Sequence, residues 1–539
     1  MNVKTAIKLA LAAAATLPAA SWALTPAAVN ALPAANIIYV SGSTATDAAL
    51  QAWAKLNPSV DPNAPFQAGT YDLYKTATGY VLTGKASGIF AAHGVAAGTS
   101  IAFVKQTQGG SATGVHNVNV GLSTPGFSDI LNASFPGSCA AAVPTGAASP
   151  FQAFNTYTCS QAEISVVPNA GISDEDPTSF IGTGSVSAAD ASALNAKNGV
   201  QVPFGVIVST AMRNALQTAE GLASGSETLA NVPSMTSTQL RAIFAGGITS
   251  WDDVFVLNAA SGNMVAVDPG QTGSFVHVCR RGDTSGTMFA TNINFFQKGC
   301  SKGTTGGVAA ADAPPTQLNG ETWTGGTGAN DLGLVQLGMA FFAGSGTGDV
   351  KNCVSAGLDT PPADPAGVDT VNFRIGFVSM DQAPTLASTW RYVAIDGVAP
   401  TIWNIQRGSY QWLTEDTFNS TAASLARNGS TLASGIFTTV AANFADLNAL
   451  AGLNAATQNA VALADTSNGG ADTGLVQLGS TTLWNAAVPW TAGPSVSAGW
   501  PAAIRAINVA GKGPLSSVSK TYGGSVNNCN YPFQVNPAG

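Results

Sequence analysis

Arg281, Asp283, Ser285, Gly286 and Thr287 fall within seven residues, in the run Arg280-Arg281-Gly282-Asp283-Thr284-Ser285-Gly286-Thr287. These are the residue types that hold an anion. A Ser-Gly-Thr turn at a helix start offers hydroxyls and backbone N–H groups, and the helix dipole favours negative charge there. Arg281 adds a planar two-pronged donor suited to phosphate or carboxylate oxygens, and Asp283 is placed to orient that guanidinium. The bland alternative is a charged turn with a helix cap.

An apolar strand-like run, Phe275 to Cys279, precedes the octapeptide, and helix-compatible spacing from Met288 to Phe296 follows it. The same order of strand, small-residue turn and helix start recurs. Ile37–Val40 runs into Ser41-Gly42-Ser43-Thr44-Ala45-Thr46-Asp47, then into an amphipathic segment through Ala49, Leu50 and Trp53. Ile101–Val104 precedes Gln108-Gly109-Gly110-Ser111-Ala112-Thr113-Gly114-Val115, and Ile164–Val167 precedes Gly171-Ile172-Ser173-Asp174. Further expected elements are a strand at 202–208, a capped helix over Thr236–Phe244, a helix from Asn330-Asp331 through Leu334, Leu337 and Phe341, and strands at 373–378 and 391–395. Segments 56–100, 121–160 and 301–330 are rich in small and turn residues and read as loop insertions. Alternating strands and helices argue an α/β fold, whose ligands sit beyond the carboxyl ends of strands. Gly-Leu-Val-Gln-Leu-Gly occurs at 333–338 and 474–479, too short a match to establish a repeat.

The first 23 residues read as a secretory signal, with Lys4 and Lys8 before an apolar run and Ser21-Trp22-Ala23 as a cleavage site. No later run is long and clean enough to cross a membrane, so an exported protein without membrane insertion is expected. Only 9% of residues are charged, against roughly 25% in an average soluble protein. Net charge is −8, and loss of Lys4 and Lys8 with the leader makes it about −10. That balance argues against nucleic acid as a partner. An anion would have to be held by local dipoles and one or two fixed cations.

Six cysteines (Cys139, Cys159, Cys279, Cys300, Cys353, Cys529) in an exported chain favour disulfides. Proximity suggests Cys139–Cys159 and Cys279–Cys300, with Cys353–Cys529 as the remainder of 15 possible connectivities. No Cys-x-x-Cys spacing occurs, and His93, His116 and His277 are scattered, so neither a metal site nor a His-dependent triad is expected.

Taken in order, Gly42-Ser43-Thr44-Ala45, Gly110-Ser111-Ala112-Thr113-Gly114, Ser173-Asp174 and Arg281-Gly282-Asp283-Thr284-Ser285-Gly286-Thr287 resemble the phosphate-binding proteins of ABC phosphate importers, within the type 2 periplasmic-binding-protein superfamily. Leu240–Gly246 with Ile248-Thr249-Ser250-Trp251, Ile375-Gly376-Phe377-Val378 and Ile395–Thr401 agree with it. The resemblance implies two α/β lobes joined by hinge strands, with lobe 1 formed by 24–203 plus 410–539 and lobe 2 by 204–409. It implies phosphate donors at Thr44, Ala45 (through its N–H), Ser111, Arg281, Ser285, Gly286 and Thr287, with Asp283 bracing Arg281. Asp174 would set specificity. An ionised carboxylate only accepts hydrogen bonds, so it welcomes a protonated phosphate oxygen and repels sulfate.

Where such proteins carry an aromatic residue followed by Pro, this chain has Ala45-Thr46. The implied function is capture of inorganic phosphate or arsenate by a periplasmic or extracellular monomer, without cofactor or catalysis and with an ABC permease as a candidate partner. The competing readings are an exported structural or adhesive protein that keeps the fold, and a phosphatase-like hydrolase. The hydrolase needs a metal cluster or activated nucleophile that the sequence does not display.

Overall fold

The computed structural model describes residues 24–445 with short interruptions and two longer ones, 297–338 and 356–372; beyond 445 it describes only 464–465, 515–516, 518–519 and 533–534. The expected leader (1–23), the stretch 301–330, the start of the helix expected from Asn330 and both copies of the hexapeptide lie outside the described residues.

Thirteen strands make the main sheet among the described residues. They are β1 (Ile37–Gly42), β2 (Asp72–Lys75), β3 (Gly79–Lys85), β4 (Ser100–Gln106), β5 (Val143–Thr145), β6 (Phe154–Thr158), β7 (Ala170–Ser173), β8 (Asn195–Ser209), β9 (Val276–Arg281), β10 (Met339–Gly344), β11 (Arg374–Ser379), β12 (Trp390–Tyr392) and β13 (Leu413–Ser420). Their order is β10-β9-β11-β8-β13-β7-β1-β4-β3-β2-β6-β5, with β12 also on β8. The α/β class expected from the sequence is the class of the molecule.

Two parallel groups matter for the site. β1 runs parallel to both β4 and β7, and β9 runs parallel to both β10 and β11. Parallel strands are covered on both faces, which is why Ile37–Val40 and Val276–Cys279 are near-continuous apolar runs and why every residue of β1 and β9 is buried. Carboxyl ends within each group therefore share one edge, which brings the turns after β1, β4 and β7 together. The long strand β8 links the two groups. Asn195 to Pro203 pairs antiparallel with β13, and Phe204 to Val208 pairs antiparallel with β11.

Helices follow the strands where the small-residue turns end. Among them are α1 (Asp47–Ala54), α2 (Thr210–Glu220), α3 (Ser237–Phe244), α4 (Gly286–Phe296), α5 (Thr347–Val354) and α6 (Ala433–Ala445). The expected helix at 236–244 is present as α3, and its capping box is Thr236 with Gln239. Trp251 is wholly buried and donates to the Phe373 carbonyl at 3.2 Å, a packing role. The helix that bears the Ser-Gly-Thr turn, α4, is held by aromatic contacts. Phe295 meets Trp412 edge-on at 4.9 Å, Phe244 bridges Phe295 and Phe377, and Trp412 Nε1 donates to the Ala290 carbonyl.

Four expectations are corrected. Segments 56–100 and 121–160 are not loop insertions, because β2, β3, β5 and β6 within them extend the sheet. Tyr71, Leu73, Tyr74, Val81 and Leu82 are buried there, so strand patterning outweighed the Gly/Pro/Thr-rich composition. Ile164 to Val166 lies in a separate two-stranded ribbon with Thr124–Ser128, and β7 is the strand that leads to Asp174. Phe341 belongs to β10 rather than to a helix; Met-Ala-Phe-Phe-Ala-Gly is a short apolar run for which helix and strand cannot be told apart by spacing.

The fourth correction concerns sulfur. Cys139–Cys159 is present as expected, but Cys279 bonds Cys353, with 5.9 Å between Cα atoms. This overturns both Cys279–Cys300 and Cys353–Cys529. Helix α5 lies beside β9 in space although it is far away in sequence. Cys300 and Cys529 lie outside the described residues.

Candidate functional site

The chain leaves β1 through Gly42 and turns at Ser43, whose N–H donates to the Ile172 carbonyl at 2.7 Å. The Ser43 hydroxyl donates to Oδ1 of Asp174 and accepts the Ala45 N–H at 3.0 Å. After β4, Ser111 opens a 3-10 turn, Ser111–Gly114, and is fully buried. Its hydroxyl oxygen accepts the Asp174 N–H at 3.3 Å. Thus the turns after β1, β4 and β7 meet at one carboxylate.

The turn after β9 closes on the same point. Ser285 N–H donates to the Gly282 carbonyl at 3.0 Å, and α4 begins at Gly286. The Ala112 N–H donates across to the Thr284 carbonyl at 3.2 Å. Glycine is required on both sides of this approach. Gly110 has φ +68, and a Cβ there would meet the Thr284 carbonyl oxygen at 2.4 Å. A Cβ on Gly286 would lie 2.2 Å from Asp174 Oδ2 and 2.3 Å from Ser111 Oγ.

Each residue expected at the site can now be placed. Ser111, Asp174 and Gly286 are in mutual reach, with Ser285 and Thr287 buried beside Gly286. Arg281 ends β9, is 3% exposed, and donates through Nη1 to Thr347 Oγ1 at 3.3 Å. Ala45 is buried beside Ser43, with its N–H on the Ser43 hydroxyl. Thr44 is half-buried, and its carbonyl accepts the Asp47 N–H that starts α1. Asp283 lies outside the described residues.

Burial pushes the Asp174 carboxyl up to about 7. The Arg281 charge, the Ser111 contact and the Lys105 charge oppose that rise, while Asp47 adds to it. A carboxyl poised there changes between acceptor and donor near neutral pH. Behind it, Asp416 is wholly buried and raised well above its ordinary range, first by burial and then by the Asp174 and Glu175 charges.

Lys105 was not among the expected residues. Its ammonium is buried beneath the first turn and donates to the carbonyls of Gly42, Ser43 and Gln106 at 3.2, 2.8 and 2.7 Å. It also lies 3.6 Å from Asp47 Oδ1, to which the Tyr80 hydroxyl donates at 2.9 Å. Burial lowers the Lys105 pKa and Asp47 holds it up; burial raises Asp47 to about 6 against the pull of Lys105 and Tyr80. The signal in the sequence was a lysine directly after the apolar run Ile101–Val104, in a strand otherwise suited to burial on both faces. Ser43, expected only as part of its turn, is the residue that carries the side-chain contact to Asp174.

Among the described residues no group of three His, Cys, Asp or Glu side chains could hold a metal ion, and no helix is long and apolar enough to cross a membrane. The arrangement is a buried acceptor ringed by hydroxyls and turn amides, with one guanidinium in range.

Among solved structures, the chain is similar at 15% identity to a candidate phosphate ABC transporter substrate-binding protein with bound phosphate from Clostridium perfringens, covering 76% of this chain and 96% of that one with a TM-score of 0.34. An ABC-type phosphate transport receptor from Vibrio cholerae is 12% identical over 71% and 87% of the two chains, with a TM-score of 0.31. A phosphate-binding protein from Stenotrophomonas maltophilia is 11% identical over 71% and 78%, with a TM-score of 0.32. No curated protein sequence matches the chain. The PBP superfamily domain matches residues 180–467, which is more than half of the sequence and spans β8 through β13 together with Arg281 and the turn that follows it. On that match the chain belongs to the PBP superfamily.

Proposed function

We propose that the protein is an exported solute-binding protein that captures inorganic phosphate, with arsenate as a competitor of the same shape and protonation. The ligand is held in a cleft between two lobes, residues 24–203 with 410–539 and residues 204–409. One observation carries the reading: Ser111, Asp174 and Gly286 converge on one buried point that the Arg281 charge reaches. A dianion taken out of water needs many donors, and hydroxyls with turn amides supply them. Ser111, Ser285, Thr287 and Thr44, with the Gly286 amide, are the donors, joined by the Ala45 amide once the ligand draws it from the Ser43 hydroxyl, and Arg281 is the fixed cation.

Asp174 supplies the discrimination. Ionised, it accepts the hydrogen bond of a protonated phosphate oxygen, whereas sulfate offers no proton and leaves two acceptors facing each other. Capture of this kind calls for no nucleophile and no cofactor. The protein acts as a monomer in the periplasm or outside the cell, and an ABC permease is the partner its family membership suggests.

Calorimetric titration of ligand-stripped protein lacking the leader tests the reading. Tight phosphate binding with sulfate excluded supports it. No heat and no thermal stabilisation with phosphate, arsenate or sulfate would sink it.

A further inference from the structure

We propose that Thr347, fixed by the Cys279–Cys353 disulfide, is a positioning residue for Arg281, a role that rests on the oxyanion reading above. Cys279 and Arg281 are two apart on β9 and therefore lie on the same face of the strand. Thr347 opens α5 and Cys353 lies six residues further along it. The pairs Cys279–Cys353 and Arg281–Thr347 are thus two rungs of one ladder, the first a covalent bond and the second a 3.3 Å hydrogen bond. The spacing agrees on both sides. Six helical residues rise about 9 Å and two strand residues about 6.6 Å, so a helix running back along the strand at a slant meets it at both points.

The helix has little freedom to leave that position. It is the connection from β10 to β11, and β9 lies between those strands and is parallel to both. Val350, Cys353 and Val354 are buried beneath it. At its start, the Gly346 N–H donates to Asp349 Oδ2 at 2.9 Å, which sets the direction of Thr347. At its end, buried Arg374 donates through Nη1 to the Cys353 carbonyl at 2.7 Å. The ladder of β9 and β10 continues past Arg281, with the Gly282 N–H donating to the Gly344 carbonyl at 3.0 Å.

An arginine has many rotamers, and freezing them upon ligand arrival weakens binding. Thr347 accepts from Nη1 and so holds the guanidinium plane before any anion comes. The disulfide stops α5 from sliding along β9, which would take the threonine out of reach.

The test uses the mature full chain and inorganic phosphate as probe. Thr347→Val should weaken phosphate binding about tenfold, the scale of one hydrogen bond to a charged group, while Thr347→Ser restores it. Cys279→Ala/Cys353→Ala should weaken it in the same direction, and Thr347→Val should add nothing in an Arg281→Lys background. A second readout is independent of ligand. In 15N spectra, rotation of the Arg281 guanidinium should be slower in the wild type and in Thr347→Ser than in Thr347→Val. Unchanged guanidinium dynamics in Thr347→Val overturn the inference, whether or not the wild type binds phosphate. Changed dynamics in a protein that binds no oxyanion would uphold the brace and sink the phosphate reading instead.

Discussion

The Ser43 hydroxyl donates to the Asp174 carboxylate, and the Asp174 N–H donates to the Ser111 hydroxyl oxygen. Asp174 is therefore held by the turns that follow β1 and β4. A side chain pinned in this way keeps its acceptor oxygens aimed in one direction, which is what discrimination between two tetrahedral anions requires.

Asp174→Asn replaces an acceptor by an amide that also donates. Sulfate should then enter the site, and the ratio of phosphate to sulfate affinity should fall roughly 10- to 100-fold, the range for one buried polar mismatch. Calorimetry with both anions measures the ratio. An unchanged ratio would remove Asp174 from the role of selector.

Acidity should mimic that substitution. Asp174 is raised from an ordinary 3.8 to about 7, so between pH 8 and 6 a growing fraction becomes protonated and able to donate to sulfate. Sulfate exclusion should weaken as pH falls through that window. Stability runs the same way in sign. A buried carboxyl with a raised pKa contributes stability in its neutral form, fully present below about 4 and lost as pH rises through about 7; Asp47, raised to about 6, acts in the same sense. The ligand-free protein should melt at lower temperature as pH rises from 5 to 8, and Asp174→Asn should flatten that slope.

Gly286→Ala drives a methyl group into Asp174 Oδ2 and Ser111 Oγ. It should abolish phosphate binding and lower stability by about 1–3 kcal/mol, the usual cost of overpacking. At Gly282 a Cβ would find only the Gly344 carbonyl, at 3.9 Å. Gly282→Ala should bind and melt close to wild type. Equal behaviour of the two variants would show that Gly286 is not at the closest approach.

Lys105→Met removes a fully buried ammonium and strips the half-buried Asp47 of its counter-charge. Breaking one side of a buried pair costs about 3–5 kcal/mol, whereas removing both sides is far milder. Denaturant unfolding should show a large loss for Lys105→Met and recovery of much of it in Lys105→Met/Asp47→Asn. Additive losses would contradict the pairing.

The turns of the site are legible because each breaks a continuous apolar run with small hydroxyl residues, as Val40 gives way to Ser41-Gly42-Ser43 and the run ending at Cys279 gives way, past two arginines, to Thr284-Ser285-Gly286-Thr287. The cap at Thr236 is equally plain. The strands at 72–85 are hidden in the sequence because the Gly, Pro and Thr around them outweigh the short apolar run Tyr80-Val81-Leu82, which is buried on both faces. Lys105 carried no motif, and only its neighbours in space, Gly42 and Asp47, explain it. The partner of Cys279 was misread because a connection between parallel strands carries the chain far in sequence and returns it to the same place. Nothing within 20 residues of Cys279 reports that return.

The far edge of the main sheet ends in β5, three exposed residues with proline in the middle. None of these three residues carries a charge that would repel an approaching strand. Pro144 has no N–H to offer an approaching strand, and three residues are too few to template a long pairing. A missing donor and a short strand make that rim a poor template, so Pro144→Val should raise the tendency of a concentrated stock to clump.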